Sequence, residues 1–139
     1  MASGKSNVQI SLILNAEFNA AAYSSPVTLY MALWTSALSA ASTGATAGEC
    51  SYTGYVRVGV TANTTNFPTS SGGAAIQNAT AITYAANAGV LQTATYFAIL
   101  DSPTLGAGNI IYWGSISSTA INPGDTPQVA IHGLTVSEA

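Results

Sequence analysis

The chain has 139 residues, a length that predicts one domain. Two basic and five acidic side chains give a formal net charge of −3, and only 5% of residues are charged, where a soluble domain is about one quarter charged. That composition excludes an electrostatic nucleic-acid binder, which needs a basic stripe, and it leaves few titratable groups for catalysis. Charge keeps free proteins apart, so a chain this poor in it is expected to spend its life packed against copies of itself or a partner.

Residues 6–19 (SNVQISLILNAEFN) carry two patterns. Ile10, Leu14 and Phe18 recur at i, i+4 and i+8 behind Ser6 as an N-cap, which describes a short amphipathic helix. Val8, Ile10, Leu12 and Leu14 also alternate, which describes a strand, and periodicity alone leaves both open. The apolar run Ile10–Leu14 is short and broken by Ser11, so no signal peptide is evident. No stretch approaches the roughly 20 apolar residues of a membrane span. The chain is therefore read as made and kept in a cytoplasm until it assembles.

After Ser24-Ser25-Pro26, residues 27–34 (VTLYMALW) are apolar on both faces, which predicts an interior strand covered on both sides. Residues 35–50 are small and polar and predict a long exposed loop. Residues 54–60 (GYVRVGV) alternate, with Val56, Val58 and Val60 on one face and Tyr55, Arg57 and Gly59 on the other. The polar run 61–73 predicts a loop anchored by Phe67-Pro68. Residues 78–85 predict a strand with Ile82 and Tyr84 on opposite faces. Residues 92–100 and 109–116 flank the turn DSPTLGAG (101–108) and predict a hairpin. NPGDTP (122–127) is a turn, and 128–136 (QVAIHGLTV) closes the chain as a last strand. Short strands punctuated by Gly, Pro and Asn are the pattern of an antiparallel sandwich.

The chemistry-bearing residues are sparse. His132 falls in the last strand, where a backbone-bonded or solvent-facing histidine explains it without a triad. Asp101 and Asp125 sit beside Pro or Gly in turns, where aspartate bonds its own backbone, so an acid–base pair is not required. Cys50 is the only cysteine; it can form no intrachain disulfide, and no His or Cys neighbours it to make a metal site. Gly72-Gly73 lacks the lysine and strand–helix setting of a phosphate loop. Asn63-Thr64-Thr65 and Asn78-Ala79-Thr80 match glycosylation acceptors, which carry meaning only in a secreted chain. The aromatics Tyr30, Trp34, Tyr55, Tyr84, Tyr96, Phe97, Tyr112 and Trp113 are expected to pack a core; the alternative is a sugar-binding face.

Several segments occur in a recognisable order. Pro26-x-Thr28-Leu29-Tyr30-x-Ala32-Leu33 is followed by Gly54-Tyr55-x-Arg57. Asn66-Phe67-Pro68 runs into Asn78-Ala79-x-x-Ile82-Thr83-Tyr84. Phe97-x-Ile99-x-Asp101 leads to Tyr112-Trp113-Gly114, and Gly124-Asp125 precedes the last strand. This order resembles a family of small structural proteins of tailed bacteriophages, described as tail fibre-like, minor tail or head decoration proteins. Where that family carries Trp and Gly before the aromatic pair of its hairpin strand, this chain has Val90-Leu91-Gln92, which leaves the local pairing open.

The resemblance tips residues 6–19 toward helix and implies a virion component with no catalytic residues. The expected fold is all-β: an antiparallel β-sandwich, jelly-roll or immunoglobulin-like, with an N-terminal helix or arm over 1–23 and the sandwich over 24–139. No catalytic, cofactor-binding or metal-binding residue is assigned, and no cofactor. The expected role is capsid cement or decoration, with loops 35–50 and 61–73 against the shell. The expected partners are the major capsid protein or tail proteins and the chain itself, most simply as a trimer, with no nucleic acid and no membrane. The expected location is the virion, on the capsid before the tail. A tail fibre or minor tail component is the alternative, and a carbohydrate-binding host-recognition module is another.

Overall fold

Two apolar faces of one sheet organise this protein. The computed structural model describes residues 3–68 and 75–137. A five-stranded antiparallel sheet runs in the order β1 (Ser3–Lys5), β7 (Ile110–Ile121), β6 (Gln92–Leu100), β2 (Thr28–Trp34), β3 (Val58–Thr61). Two ribbons of two strands accompany it: β4 (Ala75–Gln77) with β9 (Thr135–Ser137), and β5 (Ile82–Thr83) with β8 (Gln128–Val129). One helix, α1 (Asn7–Phe18), follows β1. The architecture is the sandwich-like all-β fold with a short N-terminal helix that the sequence predicts.

Because strand side chains alternate, β2 splits its apolar run between two cores. Met31 and Leu33 enter a core with Ile99 from β6, and Tyr52, Tyr55, Ile82, Tyr84 and Leu134 close over it from the ribbons and loops. Ala32 and Trp34 enter the other, with Ala98, Leu100, Ile110 and Leu38. The interior strand covered on both sides is thus present. The 92–100/109–116 hairpin is present too, and its second strand continues to Ile121. Gly114 sits where β7 crosses Phe97, and a Cβ there would meet the ring at 2.8 Å.

The 6–19 ambiguity resolves to helix. Ser6 Oγ accepts from the Gln9 N–H at 3.1 Å, closing the N-terminal cap. The three residues before it pair with β7, Ser3 opposite Gly114 and Lys5 opposite Tyr112. Phe67 packs on the first core as the expected anchor; residues 69–73 of that loop lie outside the described residues.

Four expectations are corrected. Loop 35–50 does not project: Leu38 and Cys50 are buried, and Trp34 Nε1 donates to the Thr46 carbonyl at 3.1 Å, so the loop roofs the second core. Residues 54–60 do not form one alternating strand. Regular pairing begins at Val58, while Tyr55 and Arg57 are buried and Val56 is 58% exposed, because Tyr55 and Arg57 have buried partners that hold the chain out of register. Ile82 and Tyr84 do not lie on opposite faces; both enter the first core, as residues two apart on an extended chain must. Regular pairing in 78–85 covers only Ile82–Thr83. Finally, 128–136 is not one strand. It breaks into β8 and β9 around a turn in which His132 takes φ 60°.

Candidate interaction surface

The scarce charges are used first to hold loops. Arg57 is buried with its guanidinium fork filled. Nε and Nη2 donate to the two carboxylate oxygens of Glu49 at 2.7 Å each. Nη1 donates to the carbonyls of Ser102 and Ala107 at 2.9 Å each. Tyr55 Oη accepts from the Leu33 N–H at 2.9 Å and donates to Glu49 Oε1 at 3.4 Å. A planar bidentate fork with further donors on its outer edge is a geometry arginine supplies and lysine does not. The cluster clasps loop 35–50 and hairpin turn 101–108 to the strand edge; at Gly44 a Cβ would overlap the Ala107 carbonyl. Burial pushes the Tyr55 hydroxyl well above its ordinary range. Burial, helped by Glu49, pushes the Cys50 thiol up to about 11, so at neutral pH it is an inert, protonated core group.

The candidate acid–base residues occupy three different turns. Asp101 accepts from the Asn109 N–H at 2.7 Å and from Asn109 Nδ2 at 2.9 Å, bracing the 101–108 turn. Asp125 Oδ2 accepts from the Asn122 N–H at 2.8 Å, closing the turn in which Gly124 takes φ 92°. His132 is exposed, and its N–H donates to the Asn78 carbonyl at 2.9 Å. Among the described residues no three of His, Cys, Asp and Glu form a group that could hold a metal ion, and no helix is long and apolar enough to cross a membrane.

Sequence reasoning missed two buried asparagines that organise the C-terminal loops. Asn78 Nδ2 donates to Thr80 O and Ala130 O, and its Oδ1 accepts from the Leu134 N–H, all within 2.9 Å. Asn87 Nδ2 bridges Val90 O and Ile121 O. Asn78 stands in one of the segments that carry the resemblance and in a glycosylation-acceptor triplet, neither of which tells its structural role, and Asn87 sits beside small residues, which reads equally as a turn. The motifs behind the resemblance therefore serve the architecture. Tyr55 and Arg57 build the clasp, Asn78 pins the last loop, and Asp101 and Asp125 set turns.

The aromatics divide. Trp34, Tyr55 and Tyr84 are core residues, with Tyr55 and Tyr84 stacked at 6.3 Å. Tyr96 and Trp113 stack at 6.3 Å and are half-buried on the second face. There Trp113 Nε1 and Ser115 Oγ are shielded from solvent without a hydrogen-bond partner.

What remains open to solvent is apolar and lies at the N-terminal side. Helix α1 touches the body along one strip, with Gln9 buried and Ile13 and Ala16 half-buried. Val8, Ile10, Leu12, Leu14 and Phe18 are exposed, Phe18 at 80%. Beside the helix root opens a groove of about 680 Å³ with mostly apolar walls, including Leu29, Phe67, Ile76 and Val136. A large apolar surface of this kind marks an interaction site.

No curated protein matches this chain. The family model described as podophage GP4 fiber I protein gp80 matches residues 4–137, which takes in α1 and both cores. The chain belongs to that family, a family of tailed-phage virion structural proteins.

Proposed function

We propose that this protein is a fibre-type component of the phage tail, built to be packed against other virion subunits and against copies of itself. The observation that carries this reading is α1: five large apolar side chains of one short helix face solvent on a chain with almost no charge to solubilise it. The family description favours the tail over the head shell expected from the sequence. No titratable residue outside the fold's own bonding network is gathered into a cleft among the described residues, which supports a structural role.

Copy number tests it. The protein is quantified in purified virions against the major capsid protein and located by antibody labelling in electron micrographs. Few copies with label at the tail are expected. A ratio near that of the shell subunit, with label on the head, would restore the cement or decoration reading. Absence from the particle would refute a virion role.

A second reading has one specific observation behind it: the half-buried Tyr96–Trp113 stack. Such a pair suits the apolar face of a sugar. Saturable quenching of tryptophan fluorescence by host polysaccharide, lost in Trp113→Phe, would establish it; unchanged fluorescence would dismiss it.

A further inference from the structure

We infer that the Ile10–Leu14–Phe18 strip of α1 seats in the apolar groove of a second copy of this chain. The inference rests on the proposed self-association and names the surfaces that make it.

Three observations converge. The three side chains recur at i, i+4 and i+8, the spacing by which a helix anchors in a groove, and all three are exposed. They flank the Gln9–Ile13–Ala16 strip that already lies on the body, so the helix keeps its own seat while offering a second face. The groove is of matching character, with Leu29, Phe67, Ile76 and Val136 on its walls, and the same chain therefore carries both the apolar ridge and the apolar recess.

A second copy is the occupant that the charges favour. Glu17 is the only charged residue in 7–27, and none of the four groove residues named is charged. Among the described residues the groove walls are uncharged throughout, so the recess offers nothing that would select a charged segment over an apolar one. Because ridge and groove are different patches, the contact runs head to tail unless two copies exchange helices. It closes into a ring when the rotation allows it.

Complementation between two variants tests this. Leu14→Ser/Phe18→Ser removes the ridge at exposed positions, and Ile76→Lys places a charge in the groove on a strand-surface position that is 43% exposed. Circular dichroism and melting temperature serve to show that both still fold. Mass is read by light scattering over a concentration series. Wild type is expected to be oligomeric and each variant monomeric. Mixing the two variants is expected to restore a species of two chains, because one supplies an intact groove and the other an intact helix.

Three results would overturn the inference. Oligomerisation of the groove variant alone would mean that helices pair with helices or with another surface. Unchanged association of the helix variant would remove α1 from the contact. Monomeric wild type at every concentration would mean that the helix binds a different protein. None of these touches the virion copy number, so the tail-component reading stands or falls separately.

Discussion

Arg57→Met is the substitution whose consequence the structure fixes best. Methionine keeps most of the aliphatic length but removes the guanidinium. Glu49 then loses two bonds of 2.7 Å, and the Ser102 and Ala107 carbonyls lose their donor. Breaking a buried pair by removing one partner costs about 3–5 kcal/mol, against a total stability of about 5–15 kcal/mol for a domain. Near this chain length about 1 kcal/mol moves the melting temperature by about 3–4 °C, so the expected drop is on the order of 10–15 °C. Thermal unfolding followed by tryptophan fluorescence reads it directly, since Trp34 lies under the loop that the clasp holds. Glu49→Leu in the same chain removes the stranded carboxylate and should recover part of the loss. The Ser102 and Ala107 carbonyls would still lack partners, at about 1–3 kcal/mol each if water cannot reach them. Lysine at position 57 should fall between, because one ammonium cannot fill a bidentate fork. A fall below about 3 °C for Arg57→Met, or a double variant worse than the single, would refute the clasp as a stabilising element.

Asn78→Ala should destabilise by about 2–4 kcal/mol, because the Leu134 N–H and two carbonyls lose their partners in a buried site; Asn78→Asp should do no better, since it presents an acceptor to carbonyl oxygens. Urea midpoints measure both. Stability should also fall with rising pH. The Cys50 thiol is held up to about 11 from 9.0, so its contribution is complete below about pH 9 and is lost between there and pH 11, where the unfolded chain ionises first. Burial of Tyr55 and Tyr84 acts in the same direction at higher pH, and a flat urea midpoint from pH 8 to 11 would contradict both. Deleting residues 1–20 removes β1 and α1 but neither core, so the sandwich should still fold while incorporation into particles weakens; equal incorporation would deny the arm a docking role.

The strongly patterned elements were legible. Residues 27–34 and the 92–116 hairpin carry long apolar runs bounded by turn residues, and burial on both faces leaves such runs few alternatives. The turn roles of Asp101 and Asp125 followed from local chemistry. What failed depended on contacts distant in sequence. Alternation in 54–60 described a strand, but the Arg57–Glu49 clasp and the Tyr55–Leu33 bond pull Tyr55 and Arg57 inward and leave Val56 outside. Loop 35–50 read as exposed because it is small and polar, yet Leu38 and the Thr46 carbonyl make it the roof over Trp34. The strand expected through His132 was broken by Asn78, which lies far earlier in the chain. For the interaction surface, the i, i+4, i+8 spacing of Ile10, Leu14 and Phe18 was visible, but an amphipathic pattern does not say whether its apolar strip faces the chain's own core or a partner. Here the body takes the Gln9–Ile13–Ala16 strip instead.

The placement of charge leads to a prediction about assembly in salt. Arg57 and Glu49 pair inside the fold, and Asp101 and Asp125 close turns. The exterior keeps only a few scattered charges, among them exposed Glu17, Asp101 and Asp125, and is otherwise Ser, Thr, Asn and apolar side chains. Removing an ion from water costs several kcal/mol, whereas a hydroxyl or amide costs about 1–3 kcal/mol and can recover it with one hydrogen bond. A surface so composed can be covered at small desolvation penalty and gains most from its apolar residues, at about 25 cal/mol per Å² buried. Ionic strength screens charge pairs but not apolar contact, and excluded salts strengthen burial. Self-association should therefore change less than about threefold between about 0.05 and 1 M sodium chloride, because the proposed contact is made by apolar side chains that salt does not screen, and should tighten in sodium sulfate. Sedimentation velocity over that series gives the dissociation constant directly. A roughly tenfold weakening by about 1 M sodium chloride would show that ion pairs hold the assembly and that the apolar face of α1 does not.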